Sequence, residues 1–220
     1  YSRTHSFDKA IDDYTQAIEI NPVFAPAYTN RGLAFSGQQQ HSRAIEDCTR
    51  AIELDPSDYF AYNNRGMAYF KQQQYDRAIE DFNGAIELDP GRSLAYNNRG
   101  MAYLGQKQFN KAIIDYTRAI ELDITFSLAY NNRGIAYVQK QQYERAIEDF
   151  NGAITFNPRY SEAYFNKACV CSLTNQTEEA CNSLRQSIEN GYSDWSNITS
   201  PSLFGNIQES SCYKEILSGR

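Results

Sequence analysis

The 220-residue sequence has few of the residues that mark enzymes, metal sites and disulfide-rich proteins. It has only two histidines, and its five cysteines are an odd number that cannot all pair within one chain. The sequence shows no Cys–His pair, catalytic triad or glycine-rich phosphate loop, so we expect neither an enzyme nor a bound cofactor. The cysteine count favours a reduced compartment, and we expect a cytoplasmic protein.

Excess positive charge and long apolar runs are also absent. The 21 lysines and arginines against 27 aspartates and glutamates give a net charge of −6, so nucleic acid is not an expected partner. No apolar run approaches the roughly twenty residues of a membrane-spanning helix. A hydrophobic fraction of 41% and an aromatic fraction of 14% exclude a disordered chain. Because the first residue is Tyr1 rather than Met, we expect a fragment that begins partway through a structural unit.

The chain repeats itself every 34 residues. Residues 61–69, 95–103 and 129–137 read AYNNRGMAY, AYNNRGMAY and AYNNRGIAY, and residues 75–86 and 143–154 read YDRAIEDFNGAI and YERAIEDFNGAI. Apolar and small residues recur at spacings of three and four in both segments, which predicts two helices. A polar turn separates the helices, and Pro90 follows the second one. Each unit is therefore predicted to be a hairpin of two antiparallel helices.

The recurring Tyr, Gly and Tyr of the first helix, followed by spaced Ala, aromatic, Ala and Pro, resemble the tetratricopeptide repeat family. The resemblance covers about residues 1–192 and implies an all-α fold, a right-handed superhelical solenoid of antiparallel helix hairpins with a C-terminal capping segment. The predicted units are a truncated repeat at 1–24, repeats at 25–58, 59–92, 93–126 and 127–160, a degenerate repeat at 161–194 and a cap at 195–220. A cap is expected because no further hairpin covers the apolar face of the last one.

A second stripe on the first helix lies away from its core stripe, and the resemblance implies that it lines a concave groove. Asparagine both donates and accepts hydrogen bonds, so a column of asparagines can pair with the peptide groups of an extended chain. The predicted peptide-binding residues are Asn30, Asn63, Asn64, Asn97, Asn98, Asn131, Asn132 and Asn166 with the apolar Phe60, Leu94, Leu128, Met67, Met101 and Ile135. The alternative interpretation is that the asparagines bond the neighbouring helix.

The charge of this stripe bears on the ligand. Family members that clamp the acidic carboxyl terminus of chaperones place Lys and Arg there, whereas this sequence has Asn and apolar residues, with Lys71 as the only clear cation. We therefore expect no strong preference for a terminal carboxylate.

Arginine occupies the position directly before the recurring glycine of the first helix, where the family usually has Leu. Each of these arginines, and Lys167 at the same position of the last repeat, follows an aspartate by eighteen residues, as in Asp81 and Arg99. Pairing each aspartate with the base of the next repeat uses every member of both columns. We therefore expect salt bridges between repeats, such as Asp81–Arg99.

Cysteine clustering does not predict a metal site. Cys169 and Cys171 form a C-x-C motif with Cys181 nearby, but residues two apart on a helix point in different directions. Cys171 also takes the place of a core tyrosine of earlier repeats, so we expect packing rather than metal binding.

These features predict a non-catalytic scaffold that binds an extended segment of another protein or peptide. Two other functions stay open: a substrate-targeting arm of a larger enzyme, and self-association through the truncated N-terminal edge. At that edge an apolar helix face lacks its partner helix, namely Phe7, Ile11, Tyr14 and Ile18.

Overall fold

The computed structural model describes residues 2–219, and every regular element in that range is helical. The helices are α1 (Ser2–Ile20), α2 (Ala25–Gly37), α3 (His41–Leu54), α4 (Tyr59–Lys71), α5 (Tyr75–Leu88), α6 (Ser93–Gly105), α7 (Phe109–Leu122), α8 (Ser127–Gln139), α9 (Tyr143–Phe156), α10 (Ser161–Leu173), α11 (Thr177–Glu189), α12 (Trp195–Ile198), α13 (Pro201–Phe204) and α14 (Ser211–Ser218), with a 3-10 turn at Gly205–Ile207. None of these helices combines the length and hydrophobicity needed to cross a membrane. The predicted all-α class is confirmed.

The chain divides within α7, after Asp115, into two compact units. In the first unit, each helix from α1 to α6 contacts the next, and the first helices of successive hairpins, α2, α4 and α6, also contact each other. In the second unit, α8 to α11 pack in the same order, and α8 contacts α10. Each unit is therefore a stack of helix hairpins, as the sequence predicts.

One residue in the left-handed conformation reverses the chain at each hairpin turn. Gln73 has a φ of 59°, and the N–H of Gln74 donates to the carbonyl oxygen of Tyr69 at 2.9 Å, which closes the C-terminal end of α4. The equivalent residues one repeat apart also have positive φ, namely Gln39, Lys107, Gln141 and Asn175. The polar turn of the sequence is therefore a repeated helix C-cap.

Glycine on the first helix and an aromatic ring on the second interlock within the hairpins. A Cβ atom on Gly66 would lie 2.8 Å from the ring of Phe82, and one on Gly134 would lie 2.6 Å from the ring of Phe150. Both rings are fully buried. The two helices can approach this closely only because glycine has no side chain.

An arginine on the first helix connects three helices. Arg65 on α4 donates from Nε and Nη2 to the two carboxylate oxygens of Asp81 on α5, at 2.9 and 2.7 Å. Its Nη1 donates to the hydroxyl of Thr49 on α3 at 3.1 Å, so it also binds the preceding hairpin. The same arrangement recurs in Arg31 with Asp47 and Thr15, Arg99 with Asp115 and Asn83, and Arg133 with Asp149 and Thr117.

The predicted pairing of Asp81 with Arg99 is wrong. Residues 81 and 83 point about 200° apart around α5. Asp81 therefore faces its own hairpin, while Asn83 faces Arg99 of the next one. Lys167, expected to pair with an acid eighteen residues earlier, instead bonds Glu179 in its own hairpin. The direction of each side chain around the helix, and not the repeat period, decides between the two pairings.

Burial governs the energetics of these pairs. The hydrogen bond to Asp115 raises the pKa of Arg99, so this guanidinium stays charged. Burial raises the pKa of Asp115, even though Arg99 donates two hydrogen bonds to its carboxylate. The cost of desolvation thus offsets much of the attraction between arginine and aspartate. The pairs therefore contribute little net stability, and their main role is to specify how the helices pack.

We expect Asp81→Ala to lower the free energy of unfolding by about 3 kcal/mol, because it leaves the half-buried guanidinium of Arg65 without its carboxylate. Glu80→Ala is the matched control on the same helix: Glu80 is exposed, and its loss should change stability by less than about 0.5 kcal/mol. Urea unfolding followed by circular dichroism measures both values. Equal stability of the two variants would contradict the role of the pair.

The C-terminal segment covers the apolar face of the last hairpin. Ile198, Phe204, Ile207 and Tyr213 are buried in one cluster with Leu184 of α11. The hydroxyl of Tyr213 donates to the carbonyl oxygen of Ile198 at 2.7 Å, which joins α14 to α12. The predicted capping segment is confirmed.

A disulfide between Cys181 on α11 and Cys212 on α14 attaches the cap covalently. The odd cysteine count favours a reduced compartment and does not predict this disulfide. The cap lies outside the repeat period, so the sequence pattern gave no sign that residue 212 would reach α11.

Replacing both Cys181 and Cys212 with Ser should destabilise the cap, because the disulfide closes a loop with a sequence separation of 31 residues. Loop-closure entropy predicts that the free energy of unfolding falls by about 3–4 kcal/mol. Hydrogen exchange of the amides of α14 should become faster in the double variant. A reducing agent should have the same effect on the parent chain and none on the double variant, and unchanged exchange in the reduced parent would contradict the prediction.

Candidate functional site

The asparagines of the first helices occupy two different environments. In one column all three are buried, with exposed fractions of 6%, 0% and 4%: Asn63, Asn97 and Asn131. The other column is more accessible, since Asn30 is exposed and three members are half-buried, namely Asn64, Asn132 and Asn166. Its exception is Asn98, which is 3% exposed.

Pairs of asparagines hold neighbouring first helices together. The side-chain amide of Asn98 on α6 donates to Oδ1 of Asn63 on α4 at 3.0 Å. In the second unit, the amide of Asn166 on α10 donates to Oδ1 of Asn131 on α8 at 2.9 Å. At these positions the structure has the bonds to the neighbouring helix that the alternative interpretation of the sequence describes.

The predicted apolar residues accompany the accessible asparagines. Three are exposed, namely Phe60, Leu94 and Leu128, and three are half-buried, namely Met67, Met101 and Ile135. Phe60 is 52% exposed, and Leu33 on α2 is 54% exposed. Large apolar side chains grouped at a surface mark interaction sites more often than single exposed ones do. In each unit, we call these side chains and the accessible asparagines the open face of its first helices.

In the first unit, a cavity of about 590 Å³ opens on this face between α2 and α4. Its wall includes Asn30 and Leu33 from α2 and Phe60 and Asn64 from α4. Three of these four are predicted site residues, and the fourth is Leu33. The volume lies within the range of about 300–1,000 Å³ that is usual for ligand pockets.

Sequence reasoning missed Asp58, which lies in the wall of this cavity. Its Oδ1 accepts hydrogen bonds from the backbone N–H groups of Phe60 and Ala61, at 2.9 and 3.1 Å, and so caps the N-terminus of α4. Its Oδ2 accepts a hydrogen bond from the hydroxyl of Thr29 on α2 at 2.6 Å. An aspartate directly before a predicted helix is a capping signal that could have placed this carboxylate.

A second carboxylate of the wall, Asp55, was also missed. Ser57 donates to it from its hydroxyl at 2.6 Å and from its backbone N–H at 3.0 Å. These two bonds lower the pKa of Asp55, so the group is ionised at neutral pH. The cavity wall therefore contains two carboxylates as well as apolar side chains and asparagines.

The basic residues near this face lie outside the cavity wall. Lys71 is exposed at the C-terminal end of α4. Arg92, which sequence reasoning did not consider, lies over the rings of Tyr59 and Phe60, with its Cζ 4.8 and 4.9 Å from their centroids. Its Nε donates to Asp89 at 2.7 Å.

The three free thiols are expected to be unreactive at neutral pH. Burial raises the pKa of Cys48 and Cys169 to about 12 and that of Cys171 to about 11. They are therefore protonated at neutral pH, and a protonated thiol is a poor nucleophile. Among residues 2–219, no group of three or more His, Cys, Asp or Glu side chains is placed to hold a metal ion.

Family comparison agrees with this geometry. Sequence models of the tetratricopeptide repeat match residues 25–58, 59–92, 93–126 and 127–160, and a further model of the same repeat matches residues 161–190. Comparison with curated protein sequences gave no match.

Several solved structures are similar to this chain. MamA superposes with a TM-score of 0.65 at 23% identity, covering 72% of this chain and 93% of MamA. YrrB, a tetratricopeptide repeat protein with an unusual peptide-binding site, gives 0.63 at 23% identity over 84% of this chain and 95% of YrrB. The pilF protein of Pseudomonas aeruginosa gives 0.71 at 18% identity over 98% of this chain and 100% of its own. Identities this low show the solenoid fold alone.

We expect Asn98→Ala and Asn64→Ala to differ in their effect on folding. The first should lower the free energy of unfolding by about 2 kcal/mol, because it leaves the buried Oδ1 of Asn63 without its donor. The second removes a half-buried amide at the cavity and should cost about 0.5 kcal/mol or less. Urea unfolding compares the two, and a larger loss for Asn64→Ala would overturn the division between structural and accessible asparagines.

Proposed function

Because this chain belongs to the tetratricopeptide repeat family, we propose that it is a non-catalytic scaffold that binds an extended segment of another protein on its open face. Repeats of this family act generally as protein-interaction modules. YrrB, which shares the fold, is a tetratricopeptide repeat protein with a peptide-binding site. Both facts support an interaction role, and the choice of surface rests on the side chains of this chain.

The observation that carries the proposal is the composition of the α2–α4 cavity. Leu33 and Phe60 expose more than half of their surface there, and Asn30 and Asn64 lie beside them in the same wall. An extended peptide can contact both the apolar side chains and the asparagines of this wall. Its side chains cover the apolar residues, and its N–H and C=O groups pair with the asparagine amides.

Apolar burial should supply most of the affinity. Covering the exposed half of Phe60 removes on the order of 100 Å² from water, which contributes about 2–3 kcal/mol. A hydrogen bond to an asparagine contributes about 0.5–1.5 kcal/mol net. Association and ordering of the peptide oppose these gains, so we expect moderate affinity and tolerance of different sequences.

The buried asparagines support this site without touching the peptide. In the first unit, the bond between Asn98 and Asn63 keeps α4 and α6 side by side. In the second unit, Asn131 has the same role, and the accessible residues are Leu128, Asn132 and Ile135. We therefore assign peptide contact to Asn30, Asn64 and Asn132. Packing of the helices falls to the buried column together with Asn98 and Asn166, which bond it.

A random ten-residue peptide library displayed on phage and selected on the full chain tests the proposal. Enriched peptides, resynthesised with a fluorophore, give dissociation constants by anisotropy. We expect Asn64→Ala to weaken binding about threefold to tenfold and Phe60→Ser to weaken it more than tenfold, in line with the lost hydrogen bond and apolar area.

Asn182→Ala is the matched control, because Asn182 is exposed on α11 in the second unit. It should leave the affinity unchanged. Failure to enrich any peptide would overturn the proposal, and so would peptides that bind Asn64→Ala and Phe60→Ser as tightly as the parent chain.

A further inference from the structure

The α2–α4 cavity differs in charge from the equivalent place one repeat later. The residues of its wall include two carboxylates, Asp55 and Asp58, and no lysine or arginine. The residues 34 positions later are Asp89 and Arg92, which form an ion pair of 2.7 Å. The base beside the cavity, Arg92, lies 4.9 Å from the ring centroid of Phe60, but its charge is paired with Asp89. The α2–α4 cavity therefore has two carboxylates that no base in its wall neutralises, whereas the equivalent pair one repeat later is neutralised.

Both carboxylates of the cavity are held in fixed positions. Asp58 accepts three hydrogen bonds, two from the first turn of α4 and one from Thr29 on α2. Asp55 accepts two hydrogen bonds from Ser57. Neutral donors orient these groups without cancelling their charge, so this part of the cavity wall keeps a negative potential.

The apolar part of the cavity lies beside these charges. Leu33 and Phe60 come from α2 and α4, and Asp58 directly precedes Tyr59, the first residue of α4. A ligand that covers the two apolar side chains therefore has the carboxylates within reach of its next residue. A cation there meets complementary charge, whereas an acidic residue or a terminal carboxylate meets repulsion.

We infer that this cavity selects a peptide segment in which an apolar side chain is followed or preceded by a lysine or arginine. The apolar side chain covers Leu33 and Phe60, and the cation pairs with Asp55 and Asp58. This inference rests on the proposed function and adds to it the chemical class of the partner: a basic, apolar segment rather than an acidic one.

The test uses the tightest peptide from the library, resynthesised in three forms. The residue next to its apolar anchor is Lys, Gln or Glu, and both ends are blocked so that no terminal charge contributes. We expect the Lys form to bind the full chain about fivefold more tightly than the Gln form, and the Glu form about fivefold more weakly. The difference between Lys and Gln should shrink between 50 and 500 mM NaCl, because salt screens the exposed charges.

Asp55→Asn with Asp58→Asn is the decisive variant, because asparagine caps a helix as well as aspartate does and keeps the turn while removing both charges. It should bind all three peptides with nearly equal affinity. Glu46→Gln is the control, because it removes one charge from an exposed position on α3. It should leave the Lys form the tightest binder, followed by the Gln form and then the Glu form. Circular dichroism checks that each variant is folded.

The outcomes separate this inference from the proposed function. Equal binding of the three peptides to the parent chain, with loss in Phe60→Ser, would overturn the charge preference and leave the scaffold role standing. An order that persists in the double variant, or tighter binding of the Glu form, would also overturn it. Competition by unlabelled chain would identify a second copy as the occupant and overturn it too. Absence of binding by every peptide would overturn both.

Discussion

A half-buried arginine that must keep its buried carboxylate partner determines how the hairpins stack. Arg65 is bound on two sides: Asp81 of its own hairpin neutralises its charge, and Thr49 of the preceding hairpin accepts a hydrogen bond from its Nη1. A shift of one hairpin against the next would break the contact to Thr49, and an opening of the hairpin would leave a charge buried and unpaired. Since the second event costs far more free energy than the pair contributes, the contact selects one packing over its alternatives.

The open face depends on this packing. When the first helices lie at a fixed distance, Asn98 and Asn63 can meet between them and pair, which satisfies amides that would be costly to bury alone. On α4 the residue after Asn63 faces outward, so Asn64 lines the cavity with Phe60. Two adjacent asparagines of one sequence motif thus have different roles, because consecutive residues point about 100° apart around a helix.

The C-terminal segment and the turns between hairpins have roles that the repeated helices do not. The last hairpin would expose an apolar face, and a segment without the repeat covers it and is attached through Cys181 and Cys212. The turns between hairpins vary more than the helices do, as Asp58 and Arg92 at equivalent positions show. Variation at the turns can therefore give each junction its own charge while the helices keep the same packing.

The sequence by itself determined the fold class, because a 34-residue period of Gly, Ala and aromatic positions is satisfied by stacked helix hairpins. It also placed Phe60 away from the core, since helical periodicity separates it from the buried stripe. Only the tertiary structure decided that Asp81 pairs with Arg65 rather than Arg99, that one asparagine column is buried, and that Cys181 meets a cysteine of the cap. The physical reason is that positions 34 residues apart are equivalent in a repeat. The 34-residue period therefore cannot distinguish a contact within one hairpin from a contact with the next hairpin. It also cannot predict the contacts of a C-terminal segment that does not repeat.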